Sequence, residues 1–213
     1  MFNFSVLKTD DGSTTDIKIT PDGSKFLLTE CRNCGMEDSK AFVWSCNEPL
    51  SAAEHLIKDG YGGRMFACGV SHDSNLGIVG GHKGTLILDL ETGETRVTVP
   101  ERGGFFVSFL PDSLQFLVSH GNALYRYTED GKDTLTEYYG HREAVETATF
   151  LGQCVVSGSK DGTVRIFHST SGRCEYAFFN HRSQKMACVA AALKGSRLIL
   201  ASNSNGMLYI LKY

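Results

Sequence analysis

The fold of this chain is decided by Gly140-His141 and, twenty residues later, Asp161-Gly162-Thr163-Val164-Arg165-Ile166-Phe167. Residues 144–150 alternate between two faces, as a strand does, and residues 154–157 form a second short strand. The residues around Asp161-Gly162 give a hairpin signal, and the β-branched and aromatic residues after them are typical of a strand at a sheet centre. With residues 174–179 as a fourth strand, the stretch predicts one antiparallel, four-stranded sheet.

Degenerate copies of this unit recur along the chain. One apolar or aromatic anchor per copy gives spacings of 44, 39, 40 and 44 residues, with the anchors at Trp44, Leu88, Tyr127, Phe167 and Leu211. A period of about 40 to 45 residues made of short strands is typical of β-propeller blades. The sequence therefore predicts an all-β protein, a single β-propeller domain over residues 1–213 with five blades of about four strands.

The unit around residues 140–168 closely resembles a WD repeat, and the whole chain resembles a WD-repeat β-propeller. In such blades a His before the first strand, a Ser or Thr on the second, an Asp in the next hairpin and a Trp on the third form a hydrogen-bonded network. The resemblance implies a structural network of His141, Ser157, Asp161 and, in place of Trp, Phe167. Because phenylalanine has no indole N–H, one end of that network is expected to be missing.

The two ends of the sequence bear on how such a ring closes. The last copy lacks a fourth strand after Leu211, whereas residues 2–8 alternate like a strand that has no blade of its own. The simplest interpretation is that this N-terminal strand completes the last blade and closes a five-bladed ring, which removes a sheet edge at each end. The alternative is a partial propeller of a seven-bladed parent, the blade number that the resemblance implies, or one completed by another chain.

Composition and charge exclude several classes of protein. The chain is 41% hydrophobic and 21% charged, as in a globular protein, and its net charge of −3 argues against a generally basic nucleic-acid binder. No apolar run long enough to span a membrane and no signal-peptide pattern is present in the sequence. The seven cysteines are spread through strand-like segments and look like buried apolar residues of a reducing compartment. We therefore expect a cytoplasmic or nuclear protein with no membrane contact.

Three groups of residues resemble catalytic or metal sites without their required pattern. His141, Ser157 and Asp161 have the residue types of a catalytic triad, but their spacing is that of the repeat. Ser71-His72-Asp73 is expected to form a turn. Cys31-Arg32-Asn33-Cys34 supplies two of the four ligands of a zinc site, so a plain loop is favoured and metal binding stays an alternative. The sequence thus predicts no enzyme, no cofactor, no metal and no small-molecule substrate.

The clearest functional signal comes from the charges on the loops. In a propeller, the loops that enter each blade and the hairpins between second and third strands share one face, and here that face is predicted to be basic. We expect a protein-interaction scaffold or adaptor that binds proteins or peptides there as a subunit of a complex, with residues 30–38 as a second contact. The alternative is an RNA-associated component of a ribonucleoprotein complex that uses the same basic face. The candidate partner-binding residues are Arg142, Lys160, Arg182, Lys185, His82, Arg102 and Arg32.

Overall fold

The structure, a computed structural model, describes residues 12–32, 39–46, 55–57, 63–100, 103–179, 186–192 and 198–212. Within these ranges the regular structure is β throughout, in nineteen strands that form four four-stranded sheets and one three-stranded sheet. In each sheet the spatial order of the strands follows their order in the chain. None of the described residues belongs to a helix long and apolar enough to cross a bilayer. The chain divides into two compact units, Met1–Arg102 with Val107–Leu114, and Gly103–Phe106 with Gln115–Tyr213.

The first unit contains the first two sheets and one further strand. The first sheet consists of β1 (Gly12–Ile19), β2 (Lys25–Arg32), β3 (Lys40–Ser45) and β4 (His55–Ile57). The second consists of β5 (Met65–Val70), β6 (Leu76–Gly81), β7 (Gly84–Asp89) and β8 (Thr95–Pro100), and β9 (Val107–Phe109) follows. All described pairings within these two sheets are antiparallel.

The core of the first unit forms where the two sheets pack face to face. Leu27 lies opposite Val43 in the register of β2 and β3, so both side chains project from the same face of the first sheet. Together with Ala41 they pack against the second sheet. That sheet contributes the buried side chains of Met65, Cys68, Val79, Leu86 and Leu88, and Leu90, in the turn after β7, adds another.

Close packing on the other face of the second sheet depends on a glycine. A Cβ atom at Gly80 would lie 2.3 Å from Val107 Cγ1, and one at Gly69 would lie 3.4 Å from the Cα of Ser108. The side chain of Val107 in β9 therefore lies so close to the second sheet that it leaves no room for a side chain at residue 80. Because valine is branched at Cβ, its methyl group has little freedom to move away.

We predict that Gly80→Ala lowers the free energy of unfolding by about 1–3 kcal/mol, because the added methyl group overlaps Val107. Urea unfolding followed by circular dichroism measures the change. The double variant Gly80→Ala/Val107→Ala makes room for the methyl group and should lose less stability than the sum of the two single variants. Strict additivity would contradict the proposed overlap.

The second unit contains the remaining ten described strands. They are β10 (Phe116–His120), β11 (Ala123–Tyr127) and β12 (Thr134–Tyr138), then β13 (Val145–Leu151), β14 (Cys154–Ser159), β15 (Thr163–His168) and β16 (Cys174–Phe179), and finally β17 (Met186–Ala192), β18 (Leu198–Asn203) and β19 (Leu208–Lys212). The strands β13 to β16 form the fourth sheet, and β17 to β19 form the fifth. Val164 and Ile166 of β15 pack against Met186, Ile199 and Ala201 in the core between these two sheets.

The all-β class and the repeated sheets predicted from the sequence are confirmed within the described residues. The sequence did not single out β4 and β12, and it placed the start of β9 at Phe105, which is wrong. The amide of Phe106 donates to the hydroxyl of Ser119 at 3.0 Å, not to a backbone carbonyl, and the regular strand begins only at Val107. Residues 2–8 lie outside the described residues, so five-bladed closure by that segment stays a prediction, as does the single domain.

Candidate functional site

A buried hydrogen-bond network joins the loop before β13 to the hairpin between β14 and β15. Nε2 of His141 lies 2.7 Å from the hydroxyl oxygen of Ser157, and Nδ1 lies 3.2 Å from Oδ2 of Asp161. The hydroxyl of Thr163, a residue that the sequence analysis did not include, lies 3.0 Å from the same Nδ1. The hydrogen bonds follow the order of a catalytic triad, with the serine on Nε2 and the aspartate on Nδ1, but His141 and Ser157 are both buried, so a substrate cannot reach the Ser157 hydroxyl.

The hydrogen-bond partners assign the proton positions in this network. Ionised Asp161 can only accept, so Nδ1 of His141 carries the proton, and Nε2 accepts from the hydroxyl of Ser157. Burial lowers the pKa of His141 below its usual value, against the opposing effect of Asp161. The ring is therefore neutral near pH 7, and its contact with Asp161 is a hydrogen bond between a neutral donor and a charged acceptor, not an ion pair.

Asp161 organises both loops through its two oxygens. Oδ2 also accepts from the backbone amide of Arg142 at 2.9 Å, and Oδ1 accepts from the amide and the hydroxyl of Thr163 at 2.8 and 2.6 Å. Burial alone would raise the pKa of Asp161, but these hydrogen bonds outweigh it and the pKa is lowered. Phe167 has no donor to add and instead packs edge-on to the rings of His141 and Tyr138, with centroids 6.2 and 5.7 Å away.

Asp161→Ala should lower the free energy of unfolding by about 1–3 kcal/mol, since it leaves the buried donors of His141 and Thr163 without their acceptor. Thermal and urea unfolding measure the loss. Asp133→Ala, which changes an exposed carboxylate, is the control and should shift stability little. An unchanged melting temperature would contradict the structural role.

Stability should fall as the pH decreases below the ordinary histidine pKa of about 6.5. The pKa of His141 is lowered in the folded chain, so the unfolded chain takes up the proton first and protonation favours unfolding. Urea unfolding at several values between about pH 5 and 8 measures this dependence. His141→Gln removes the titrating group and should flatten the profile over this range; an identical slope in both proteins would contradict the assignment.

The network holds a set of loops that we call the loop surface, defined by Phe105, Asn122, Tyr139, Arg142 and Lys160. Asn122 donates to the carbonyl of His141 at 3.0 Å, and the amide of Lys160 donates to the carbonyl of Ala144 at 2.9 Å. These contacts fix the loops to one another in the second unit. The side chains of Phe105, Tyr139 and Arg142 are exposed on this frame.

Lys160 has two neighbours that the sequence analysis did not foresee. Its ammonium group lies 4.2 Å from the centre of the Phe105 ring and 3.0 Å from a carboxylate oxygen of Glu146. Glu143, beside Arg142, is also exposed. Within the described residues of the loop surface, the two cations are thus balanced by two carboxylates. The predicted basic excess therefore depends on other residues and stays a prediction.

The remaining candidate residues are placed as follows. His82 is exposed in the first unit, and its ring meets that of Phe66 edge-on at 4.9 Å. Arg32 ends β2, and its side chain is outside the description. Arg102, Arg182 and Lys185 lie outside the described residues. Cys34 also lies outside them, so the alternative of a metal site with Cys31 is not tested; among the described residues, no three His, Cys, Asp or Glu side chains cluster as metal ligands.

Three turns share a hydroxyl–carboxylate pattern. Thr20, Ser71 and Thr128 each donate to the carboxylate two residues later, at 2.7, 2.6 and 2.7 Å. Each hydroxyl oxygen also accepts from the amide five residues on, at 2.9, 2.9 and 3.2 Å. The hydrogen bonds from the three hydroxyl groups are the largest cause that lowers the pKa of Asp22 to about 2 and that lowers the pKa values of Asp73 and Asp130. Ser71-His72-Asp73 is therefore a turn, as its sequence predicted.

Repeated four-stranded antiparallel sheets and the buried His–Ser–Asp network define the class of protein as propeller-like. Comparisons with known proteins agree. The family model WD40, described as WD domain, G-beta repeat, matches residues 132–168. The solved structure of U3-55K, a WD-repeat β-propeller protein, superimposes with a TM-score of 0.82 at 18% sequence identity. The match covers 98% of this chain and 63% of that chain. A comparison with curated proteins gives no match.

The chain therefore contains a WD repeat and has the propeller-like fold of the WD-repeat family, which confirms the resemblance. The matched segment begins shortly before β12 and ends with β15, so it includes His141, Ser157 and Asp161. The likeness to U3-55K shows the fold alone. Blade number and ring closure are not determined by these findings.

Proposed function

We propose that this chain is a non-catalytic scaffold that binds a partner protein or peptide on the loop surface, as a subunit of a complex. WD-repeat proteins are generally scaffolds of this kind, and their repeats mediate protein interactions. The observation that carries the proposal for this chain is the exposed Phe105 ring under Lys160, together with exposed Arg142. The amide of Arg142 is held by Asp161, the residue adjacent to Lys160. Aromatic and arginine side chains contribute most of the binding energy at protein interfaces.

The loop surface suits a partner because it is rigid before binding. Hydrogen bonds from Asn122, Arg142 and Lys160 tie its loops to the buried network, so little conformational entropy is lost when a partner docks. Tyr139 extends the aromatic part: its ring meets Tyr125 edge-on at 6.2 Å, and Tyr125 lies next to His120. An aromatic surface with balanced charges favours a peptide that buries apolar side chains over a purely anionic ligand.

Charge reversal at Arg142 and Lys160 tests the loop surface directly. We expect the double variant Arg142→Glu/Lys160→Glu to lose its main partners in affinity purification followed by mass spectrometry, because a surface of balanced charge becomes strongly negative and the contact of Lys160 with Phe105 is removed. The matched control is Lys132→Glu/Arg173→Glu, which reverses two exposed cations away from the loop surface. Melting temperatures of both variants establish that they are folded. An unchanged set of partners in the first variant would exclude the loop surface.

The RNA alternative is separated from protein binding by its salt dependence. Phosphate contacts predict that affinity for a single-stranded RNA probe falls steeply between about 50 and 200 mM salt. A peptide held by apolar contacts should tolerate the same change. Fluorescence anisotropy with a labelled oligouridine measures the first case. Tight, salt-sensitive binding that Arg142→Glu/Lys160→Glu removes would replace the protein-scaffold proposal with the ribonucleoprotein alternative.

A further inference from the structure

The loop surface contains a place where an aromatic ring and a carboxylate together hold a cation. The ammonium group of Lys160 lies 4.2 Å from the centre of the Phe105 ring and 3.0 Å from a carboxylate oxygen of Glu146. The face of the ring attracts the cation through its negative partial charge, and the carboxylate pairs with it directly. This group of three shows which components bind a cation on this surface.

A second ring and carboxylate of this kind lie where β12 ends. The hydroxyl of Tyr139 donates to Oε2 of Glu137 at 2.5 Å, and both side chains are exposed, that of Tyr139 by 55%. Among the described residues, no Lys, Arg or His side chain forms an ion pair with Glu137 or lies over the Tyr139 ring. The pair therefore has the components of the Lys160 site, but the described part of the chain supplies no cation to it.

The Tyr139 ring is held in position from several sides. In the register of β11 and β12, Tyr125 lies opposite Glu137, so both project from the same face of their sheet. The Tyr139 ring meets the Tyr125 ring edge-on at 6.2 Å. The hydroxyl of the buried neighbour Tyr138 donates to the carbonyl of Ser169 at 2.5 Å, which fixes the adjacent backbone. A ligand that binds this pair therefore has few side chains to order.

The chemistry of the pair favours a guanidinium group. The hydrogen bond to Glu137 raises the pKa of Tyr139, so the phenol stays protonated near pH 7 and continues to donate. Glu137 accepts through Oε2, which leaves the lone pairs of Oε1 for another donor. A planar guanidinium can stack on a ring and donate to a carboxylate at the same time, whereas an ammonium group is a more strongly hydrated point charge. An arginine side chain therefore fits the pair better than a lysine side chain.

We propose that Tyr139 and Glu137 bind an arginine side chain of the partner protein that docks on the loop surface. The arginine stacks on the Tyr139 ring and donates to Glu137, in the manner of Lys160 on Phe105. This assignment rests on the proposed function, because it names a residue that the partner presents there. Together with exposed Arg142, Glu137 gives the surface charges of both signs, and such a pattern fixes the orientation of a docked partner.

A short peptide tests the pair without the partner. The purified chain is labelled with fluorotyrosine, and the fluorine NMR signal of Tyr139 is identified by its loss in Tyr139→Phe. We expect Ac-Gly-Arg-Gly-NH2 to shift this signal saturably at millimolar concentrations, because single exposed contacts with a cation are weak. The uncharged citrulline peptide, of nearly the same shape, should not shift it, and the lysine peptide should bind more weakly. An equal response to the citrulline peptide, or tighter binding of the lysine peptide, would overturn the assignment.

Matched variants identify the carboxylate that takes part. Glu137→Gln should weaken binding of the arginine peptide by about two- to fivefold, because the amide cannot pair with the guanidinium. Glu129→Gln removes another exposed carboxylate, away from the loop surface, and should leave the affinity unchanged. Both changes lie on the surface, so the melting temperatures should differ little. Equal affinity of the Glu137 variant and the unchanged chain would overturn the assignment.

Affinity purification extends the test to the partner. We expect Glu137→Lys to lose the same partners as Arg142→Glu/Lys160→Glu, because a lysine at this position repels the arginine, whereas Glu129→Lys should retain them. If the Arg142/Lys160 variant loses its partners and Glu137→Lys keeps them, the arginine assignment is wrong and the proposed function stands. If neither variant changes the set of partners, the proposed function fails and the arginine assignment fails with it.

Discussion

Packing of one sheet against the next is the constraint on which the rest of this structure depends. In β15, Val164 and Ile166 project into one interface, while Phe167 projects to the opposite side and meets Tyr138. A single four-stranded sheet of this composition would expose an apolar face on each side, so it cannot be stable alone in water. The sheets are therefore obligatory neighbours. The close approach of β9 at Gly80 shows how tightly such faces pack.

The buried network of His141, Ser157 and Asp161 connects the packed sheets to the loops of the loop surface. Asp161 accepts hydrogen bonds from the loop before β13 and from the hairpin after β14, so sheet geometry fixes the positions of loop backbones. Thr163 adds a hydroxyl close to His141, while the usual indole donor is replaced by the packed ring of Phe167. Arg142 belongs both to the buried network, through its backbone amide, and to the exposed loop surface, through its side chain. The network thus fixes the position of a side chain that we propose contacts a partner.

The sequence predicted those parts of the fold that depend on local pattern. Alternation located β13, the hairpin signal at Asp161-Gly162 and the residue types after it located β15, and the resemblance to a WD repeat indicated the network of His141, Ser157 and Asp161. The pairing of Lys160 with Phe105 and Glu146 was not predictable, since it depends on how separate loops meet in space. Strand β4 was missed because His55–Ile57 is too short to show a period. The basic excess was inferred from charge counts, which do not show which cations are already paired.

The hydroxyl–carboxylate turns at Thr20, Ser71 and Thr128 bear on how the chain folds. Each turn satisfies its donors and acceptors within about six consecutive residues, so it needs no neighbouring sheet to be complete. Hairpins seeded in this way involve short loop closures, which are fast, whereas packing one sheet on the next joins residues far apart in the chain and is slow. Folding should therefore proceed from preformed hairpins to stacked sheets. In the intermediate stage, the apolar faces of the sheets are still exposed to water.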